Sequence, residues 1–307
     1  MWIAHREPPG ETRLYSGRVL PQTGSVLGVD VGYSETKKTT AFCRLSWSRR
    51  NIEWRFASAT ADPSFREKAL AAVCSGTGKS DFLSVAIDGP LRPGLHLLYT
   101  YRTAECLLSR GAFQKRGKPG PTNGGSGPKL HQHATRLAEL VLDHSNVKPA
   151  EMPFSAADLA VYEAFPNLFL GVLCDDVEYP NRPAKGRYWT DCLFPLVTKK
   201  LDQMLRTLLP SRRPSKLLSG EGDHEEVAAL TCAITALVAA AGNCIAVGSR
   251  TDGYVVLPPL PDWGFSPKRE RWAERELRHN VQGLSCDRAR VQPPEIYSGR
   301  QLLDWSR

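Results

Sequence analysis

Hydrophobic residues recur along the chain at two spacings, and these spacings predict which segments form strands and which form helices. Apolar runs or partial apolar alternation predict strands, two of which form a hairpin. The predicted strands are residues 26–34, 39–47, 52–59, 83–87, 161–165, 244–247 and 254–257. Apolar residues at helical spacing predict helices over 63–72, 99–112, 131–143 and 223–241, and residues 168–209 are mainly helical with a polar break at 175–185.

The same pattern divides the chain into a central domain and two extensions. Residues 1–24 contain several prolines and glycines and show no period, which indicates an irregular N-terminal extension. Residues 25–260 hold the predicted elements, with a basic loop rich in glycine and proline at 113–130. Residues 261–307 are basic and rich in tryptophan and proline, and they are predicted to wrap the surface as a C-terminal extension.

The first predicted strand carries one carboxylate in an apolar setting. Residues Val26 to Ser34 read Val-Leu-Gly-Val-Asp-Val-Gly-Tyr-Ser, in which Asp30 is the charged position and Gly32 closes the run. A buried charge is costly unless a partner compensates it. Asp30 therefore predicts a place where other residues converge.

Further acids lie at the ends of predicted core elements. Asp88 follows the strand 83–87, and Glu163 lies in the strand that ends before Pro166. Buried carboxylates repel one another, so they share a site only if cations or protons compensate them. Oxygen ligands suit Mg²⁺ or Mn²⁺, and a pair of such ions can promote phosphodiester cleavage. The alternative is that each acid caps its strand end separately.

The helix predicted at 223–241 offers two more acids. Asp223 and Glu226 fall on the apolar face of a helical wheel, whereas Glu225 points away and is predicted to be a solvent residue. Asp223 is equally well interpreted as the residue that caps the start of the helix.

The net charge is unevenly spread, and this bears on possible partners. The chain has 307 residues and a formal net charge of +8. Between residues 92 and 148 there are nine lysines and arginines against three acids. A basic segment of this kind favours polyanionic partners such as nucleic acid, and a solvated loop is the alternative.

Cysteine usage and the absence of long apolar segments predict a soluble, cytoplasmic protein without a membrane partner. The eight cysteines are scattered, with no Cys-x-x-Cys pair, as expected for free thiols. The N-terminus lacks the apolar core of a signal peptide, and the longest apolar stretch is too short to span a bilayer.

Two histidines, His131 and His133, open the helix predicted at 131–143. Because they are one residue apart, they face different sides of that helix, which disfavours a shared metal ion. Phosphate contact or solvent exposure is the prediction for them.

Six short motifs occur in an order that resembles the family called domain of unknown function 429. They are Gly28-Val-Asp30, Ala86-Ile-Asp88-Gly-Pro-Leu91, Tyr101-Arg-Thr-Ala-Glu-Cys106, Glu163-Ala-Phe-Pro166, Glu226-Val-Ala-Ala-Leu-Thr-Cys-Ala-Ile-Thr-Ala236, and Asp252-Gly253 with Pro258. Members are regarded as predicted nucleases with a ribonuclease H-like fold. The resemblance covers residues 26 to 259 and implies an α/β chain with a mixed central sheet flanked by helices.

The resemblance also implies a set of metal ligands. In ribonuclease H-like nucleases, acids lie in the first strand, at the end of the fourth strand and on a helix. Those positions match Asp30, Asp88 and the helix that carries Asp223 and Glu226. Glu163 is then a further ligand or supports one.

One departure from the family pattern affects the helix. The acid that members often carry before Ala-Leu falls at Ala228, which the helical wheel turns away from the core. Glu226 or Asp223 then substitutes for it, or the site has lost a ligand.

These observations together predict a nuclease that uses Mg²⁺ or Mn²⁺ to cleave DNA or RNA. The basic residues predicted to hold the phosphate backbone are Arg102, Lys115, Arg116 and Lys129.

Two other functions stay open at this level. The actin-like sugar-kinase and ATPase superfamily also opens with Asp-x-Gly, as in Asp30-Val-Gly32, but it normally has a late glycine-rich phosphate loop, for which residues 248–253 are a poor match. A non-catalytic nucleic-acid-binding module would use the basic segment alone.

Overall fold

A computed structural model describes most of the chain. The described residues are 18–74, 79–93, 95, 101–116, 119–150, 154, 156, 159–183, 185, 188–216, 218, 223–286 and 293–305. Most of the predicted N-terminal extension and the first two residues of the helix predicted at 99–112 lie outside them.

The described strands form one mixed sheet of eleven strands. They are β1 (Gly24–Asp30), β2 (Thr40–Trp47), β3 (Asn51–Ala59), β4 (Ser84–Asp88), β5 (Lys148–Pro149), β6 (Ala160–Ala164), β7 (Arg213–Pro214), β8 (Ile245–Ser249), β9 (Gly253–Leu257), β10 (Glu295–Ser298) and β11 (Gln301–Leu302). Their order is β11-β10-β8-β9-β6-β4-β1-β2-β3-β7, and β5 pairs with β6. Strands β1, β4 and β6 are parallel neighbours, whereas β1, β2 and β3 form an antiparallel meander.

Seven α-helices flank this sheet in the described part of the chain. They are α1 (Pro63–Val73), α2 (Thr103–Leu108), α3 (Gly127–His144), α4 (Pro166–Leu173), α5 (Trp189–Leu208), α6 (His224–Ala240) and α7 (Trp272–Cys286). The predicted α/β class with a mixed sheet and flanking helices is therefore confirmed. Helix α2 is shorter than predicted because Gly111, in a left-handed conformation, begins a separate 3-10 helix at Gly111–Lys115.

The two faces of the sheet carry different helices. Helix α6 packs on β1, β2 and β4 from one side. The apolar side chains of β1 and β4 that point the other way pack with residues of α1 and α3. This alternation determines which side of the sheet each polar strand residue faces.

The segment after residue 260 joins both the sheet and the core. Strand β10 pairs with β8 in antiparallel register, and β11 pairs with β10. The indole rings of Trp263 and Trp272 are fully buried against α2, α4 and α7.

The described cysteine side chains are free thiols. None of the described helices has the length and apolar character needed to cross a bilayer.

Candidate carboxylate site

Asp30 and Asp88 lie side by side on one face of the sheet. Strands β1 and β4 are parallel neighbours, with Val29 opposite Ile87. Side chains alternate along a strand, so the next residue on each strand points to the other face, which is the face covered by α6. Asp30 ends β1 and Asp88 ends β4. The two carboxylates therefore meet at the carboxyl edge of the parallel strands, where open α/β sheets commonly bind ligands.

Burial gives this pair an unusual protonation. Asp30 is 8% exposed, and Asp88 Oδ1 is buried without a hydrogen-bond donor among the described residues. The two carboxyl groups lie within hydrogen-bonding reach of each other, which requires a proton on one of them. Burial, followed by the charge of Asp88, raises the pKa of Asp30 well above its ordinary value. Burial, followed by the charge of Glu163, raises the pKa of Asp88 to about 7.

In the first turn of α6, it is the charge of Glu225, and not that of Glu226, that acts on this pair. The charge of Glu225 is among those that raise the pKa of Asp30, whereas Glu226 does not contribute to that shift. Glu226 instead lines a small depression with Trp54 and Lys216. Glu226 thus lies among apolar side chains, as the helical wheel predicted, but away from Asp30.

The close approach of α6 to β1 explains this orientation. A Cβ atom built on Gly28 would lie 2.1 Å from both the Ala229 carbonyl oxygen and the Ala233 nitrogen, so the glycine lets the helix backbone touch the strand. Glu225 precedes Ala229 by one turn and lies on the same side of the helix. Every α6 residue from 227 to 240 is buried, so apolarity alone does not show which side of the helix meets the sheet.

Asp223 and Ala228 lie near the start of the same helix. Asp223 is the N-cap residue of α6, and its Oδ1 accepts the backbone N–H of Glu226 at 2.9 Å. Its charge also acts on Asp30, so it lies at the rim of the same site. Ala228 is 2% exposed, so the prediction that this position turns away from the core is wrong.

Glu163 faces the opposite side of the sheet from Asp30 and Asp88. In the parallel register of β4 and β6 it lies opposite Ile87, one position before Asp88. Its two carboxylate oxygens accept hydrogen bonds from Arg102 Nη1, at 2.7 Å, and from Nη2. Because this bidentate pair already satisfies its charge, Glu163 does not supply a ligand to the Asp30 site as predicted.

Arg102, which was predicted to hold a nucleic-acid backbone, is instead buried between two carboxylates. In addition to its pair with Glu163, its Nε donates to Glu105 Oε1 at 2.7 Å. Glu105 also accepts the backbone N–H of Thr122 at 3.1 Å. Two of the sequence motifs thus meet in a buried ionic network that holds α2 against β6, and Arg102 is not exposed to a ligand.

Arg116 and Lys115, which were both predicted to hold the phosphate backbone, have different surroundings. The guanidinium of Arg116 lies 3.9 Å from the ring centroid of Trp272 and forms an ion pair with Asp176. It therefore contributes to packing near α7. Lys115 is exposed at the end of its 3-10 helix.

Lys129, by contrast, lies in a group of polar and basic side chains that includes Arg66, which the sequence analysis did not single out. Its Nζ is 4.9 Å from the ring centroid of Tyr33, and that ring stacks on His133. His133 Nδ1 is 3.2 Å from Nη1 of Arg66, a buried residue of α1. The prediction of solvent exposure for His133 is wrong. A signal was present in the sequence, because Arg66 precedes Ala69 at helical spacing on the side of α1 that is buried.

His131, the other histidine of this helix, is also buried rather than solvent-exposed. Its Nε2 lies 2.9 Å from the Arg92 carbonyl oxygen. It therefore joins α3 to the segment that follows β4.

The arrangement of the acids bears on whether they fit a divalent cation. Within the described ranges, no three or more histidine, cysteine, aspartate or glutamate side chains have a metal-binding arrangement. The pair of Asp30 and Asp88 nevertheless fits Mg²⁺ or Mn²⁺, because Mg²⁺ is usually held by one or two carboxylates together with waters and substrate phosphates. The ligand atoms are all oxygens, and Asp88 Oδ1 is buried without a donor.

The chain matches no protein-family model, no curated protein and no solved structure. Its functional assignment therefore depends on the chemistry of its own residues.

Proposed function

We propose that the protein is a cytoplasmic, divalent-metal-dependent nuclease of ribonuclease H-like fold that cleaves phosphodiester bonds of DNA or RNA. The observation that carries the proposal is the pair of carboxyl groups of Asp30 and Asp88, together at the ends of adjacent parallel strands. The acids lie in the first strand, at the end of the fourth strand and on a helix, as in that fold. The motif resemblance to domain of unknown function 429 supports the same assignment.

The residues of the site have separable tasks. Asp30 and Asp88 would hold the cation through their carboxylate oxygens, because two adjacent buried carboxylates need either a proton or a cation to compensate their charge. When bound there, Mg²⁺ or Mn²⁺ supplies a water of lowered pKa and offsets the charge of the phosphate. Glu225 is partly exposed at the rim, where it can take up a proton from the attacking water.

The test is cleavage of end-labelled single- and double-stranded DNA and RNA with Mg²⁺ or Mn²⁺. Asp30→Asn and Asp88→Asn are each expected to lower the rate by at least about 100-fold. Asp202→Asn is the matched control, because Asp202 is an acid of α5 that pairs with the exposed Arg206. Cleavage that is unchanged in both site variants contradicts the proposal.

The phosphotransferase alternative has less support. Residues 248–253 form the turn of the β8–β9 hairpin, and a Cβ atom on Gly248 would lie 2.0 Å from the Gly253 carbonyl oxygen. Asp252 in this turn accepts the backbone N–H and hydroxyl of Thr103 at 2.7 and 2.8 Å, which caps α2. The turn thus has a structural role. Calorimetric titration with ATP separates the two functions, and tight ATP binding would favour the phosphotransferase.

A further inference from the structure

Arg66 is a buried guanidinium whose hydrogen bonds go to uncharged groups. Its side chain is 4% exposed. It donates to the Gly32 carbonyl oxygen at 2.5 Å and to Thr40 Oγ1 at 3.2 Å, and it contacts His133 Nδ1. Its Nε has no hydrogen-bond partner, and no carboxylate of the described chain forms an ion pair with it. Buried charges are normally paired, so this guanidinium is suited to pair with a bound anion.

His133 extends this arrangement toward the surface. Because a guanidinium only donates hydrogen bonds, His133 Nδ1 must accept the one from Arg66. Its proton therefore lies on Nε2, which makes Nε2 a donor. Tyr33 stacks on the ring with a centroid separation of 6.3 Å and orients it.

Two exposed cations surround these groups. Lys129 lies over Tyr33, and Arg136 follows His133 by almost one helical turn. Neither forms an ion pair within the described residues. Burial, followed by the charges of Arg66, Arg136 and Lys129, lowers the pKa of His133, and the charge of Glu35 opposes this shift. The basic side chains outnumber the acid, so the cluster is positively charged. A bound anion would reduce the repulsion among these basic side chains.

The cluster belongs to the α1 and α3 face of the sheet, opposite the face of the carboxylate pair, and the two groups approach each other at the carboxyl edge where β1 ends. Arg66 binds the carbonyl of Gly32, which is two residues after Asp30, a distance of about 7 Å along an extended backbone. A nucleic-acid strand that passes over this edge would contact the basic cluster on one side and Asp30 and Asp88 on the other.

We infer that Arg66, His133, Lys129 and Arg136 form a phosphate-binding site that holds the nucleic-acid backbone next to the cleavage site. The inference rests on the proposed function, since it states where that substrate is held. The chemistry it names is a phosphate group flanked by a buried guanidinium, an imidazole N–H and two exposed cations.

The test is a binding measurement that needs neither metal nor cleavage. Fluorescence anisotropy of a labelled single-stranded oligonucleotide is recorded in EDTA, with the full chain carrying Asp88→Asn. The site variant adds Lys129→Gln and Arg136→Gln, both at exposed positions. The control adds Lys199→Gln and Lys268→Gln instead, which are also exposed and change the charge equally.

The site variant is expected to raise the Kd about tenfold or more and to reduce the slope of log Kd against log salt by about 1.4, as for two lost phosphate contacts on a single strand. The control is expected to change the Kd by less than about threefold. Equal losses in the two variants overturn the inference, because they indicate only a diffuse positive field.

Inorganic phosphate, titrated in the same buffer, distinguishes the source of the phosphate group. Competition by millimolar phosphate in the parent chain that disappears in the site variant supports the inference. If phosphate binding is lost but oligonucleotide binding is unchanged, the site takes small anions and the assignment to the nucleic-acid backbone is overturned. None of these measurements depends on cleavage. A failure of the nuclease proposal can therefore be told apart from a failure of this inference.

Discussion

The carboxyl groups of Asp30 and Asp88 face each other across adjacent parallel strands, close enough to share a hydrogen bond. The pair binds a proton more tightly than isolated aspartates do, because burial and mutual repulsion disfavour two charges. The protein therefore carries a destabilising arrangement at the proposed site, as strained functional sites often do.

The first prediction concerns stability and pH without metal. The pKa values of both acids are raised in the folded state. Their stabilising contribution to the free energy of unfolding is therefore present below about pH 4 and is lost as the pH rises through about 7. The melting temperature in EDTA is therefore expected to fall between pH 5 and pH 8. Asp88→Asn removes the repulsion and is expected to raise the melting temperature at pH 8 by about 2–4 °C for each kcal/mol recovered.

Thermal unfolding at several pH values checks this prediction. Addition of Mg²⁺ is expected to stabilise the parent chain at pH 8 more than the Asp88→Asn variant. Parallel pH profiles for the two chains would contradict the assignment of the pH dependence to this pair.

The second prediction separates the two neighbouring glutamates of α6. Glu225→Gln is expected to lower the cleavage rate by about 100-fold or more, the range found for positioned general acids and bases. Glu226→Gln is the matched control and is expected to stay within about twofold, because Glu226 lies beside Trp54 and Lys216 instead. Steady-state kinetics with Mn²⁺ measures both. The reverse order of effects would restore the orientation expected from the helical wheel.

The third prediction assigns Arg102 a structural role. Arg102→Met leaves Glu105 and Glu163 buried without their partner and is expected to cost about 3–5 kcal/mol in the free energy of unfolding. Arg206→Met, which breaks an exposed pair with Asp202, is expected to cost at most about 1 kcal/mol. Urea unfolding provides both values.

A double variant keeps this third prediction testable if Arg102→Met does not fold. Arg102→Met with Glu163→Gln is expected to recover part of the loss, because one unpaired charge is removed. Oligonucleotide affinity that falls in the folded double variant would instead favour the original phosphate-binding prediction for Arg102.

The fourth prediction concerns the contact between α6 and β1. Gly28→Ala would place a methyl group against the α6 backbone and is expected to cost about 1–3 kcal/mol or more. Gly283→Ala is the control, because that helical glycine has open space around it, and it is expected to stabilise the protein by about 0.5–1 kcal/mol. Chemical unfolding of both variants measures the difference. Equal effects would mean that α6 is not held at this distance.

The sequence by itself determined the local elements and the first members of the site. The apolar runs of β1, β4 and β6 are long enough and well enough bounded to be recognised, since buried strands need them. Asp30 stood out because it interrupts such a run, and Asp88 because it follows one. The α/β class was what the motif resemblance implied, and the order of predicted strands and helices agrees with it.

Only the tertiary structure decided which other residues lie near Asp30 and Asp88. Helix α6 is apolar on nearly all sides, so its orientation depends on where Gly28 lets it approach β1. Glu163 is not part of the carboxylate site because it lies opposite Ile87, one residue before Asp88. Adjacent residues of a strand face opposite sides of the sheet. Arg66 and His133 are 67 residues apart in sequence, and only the packing of α1 and α3 on one face of the sheet brings them together.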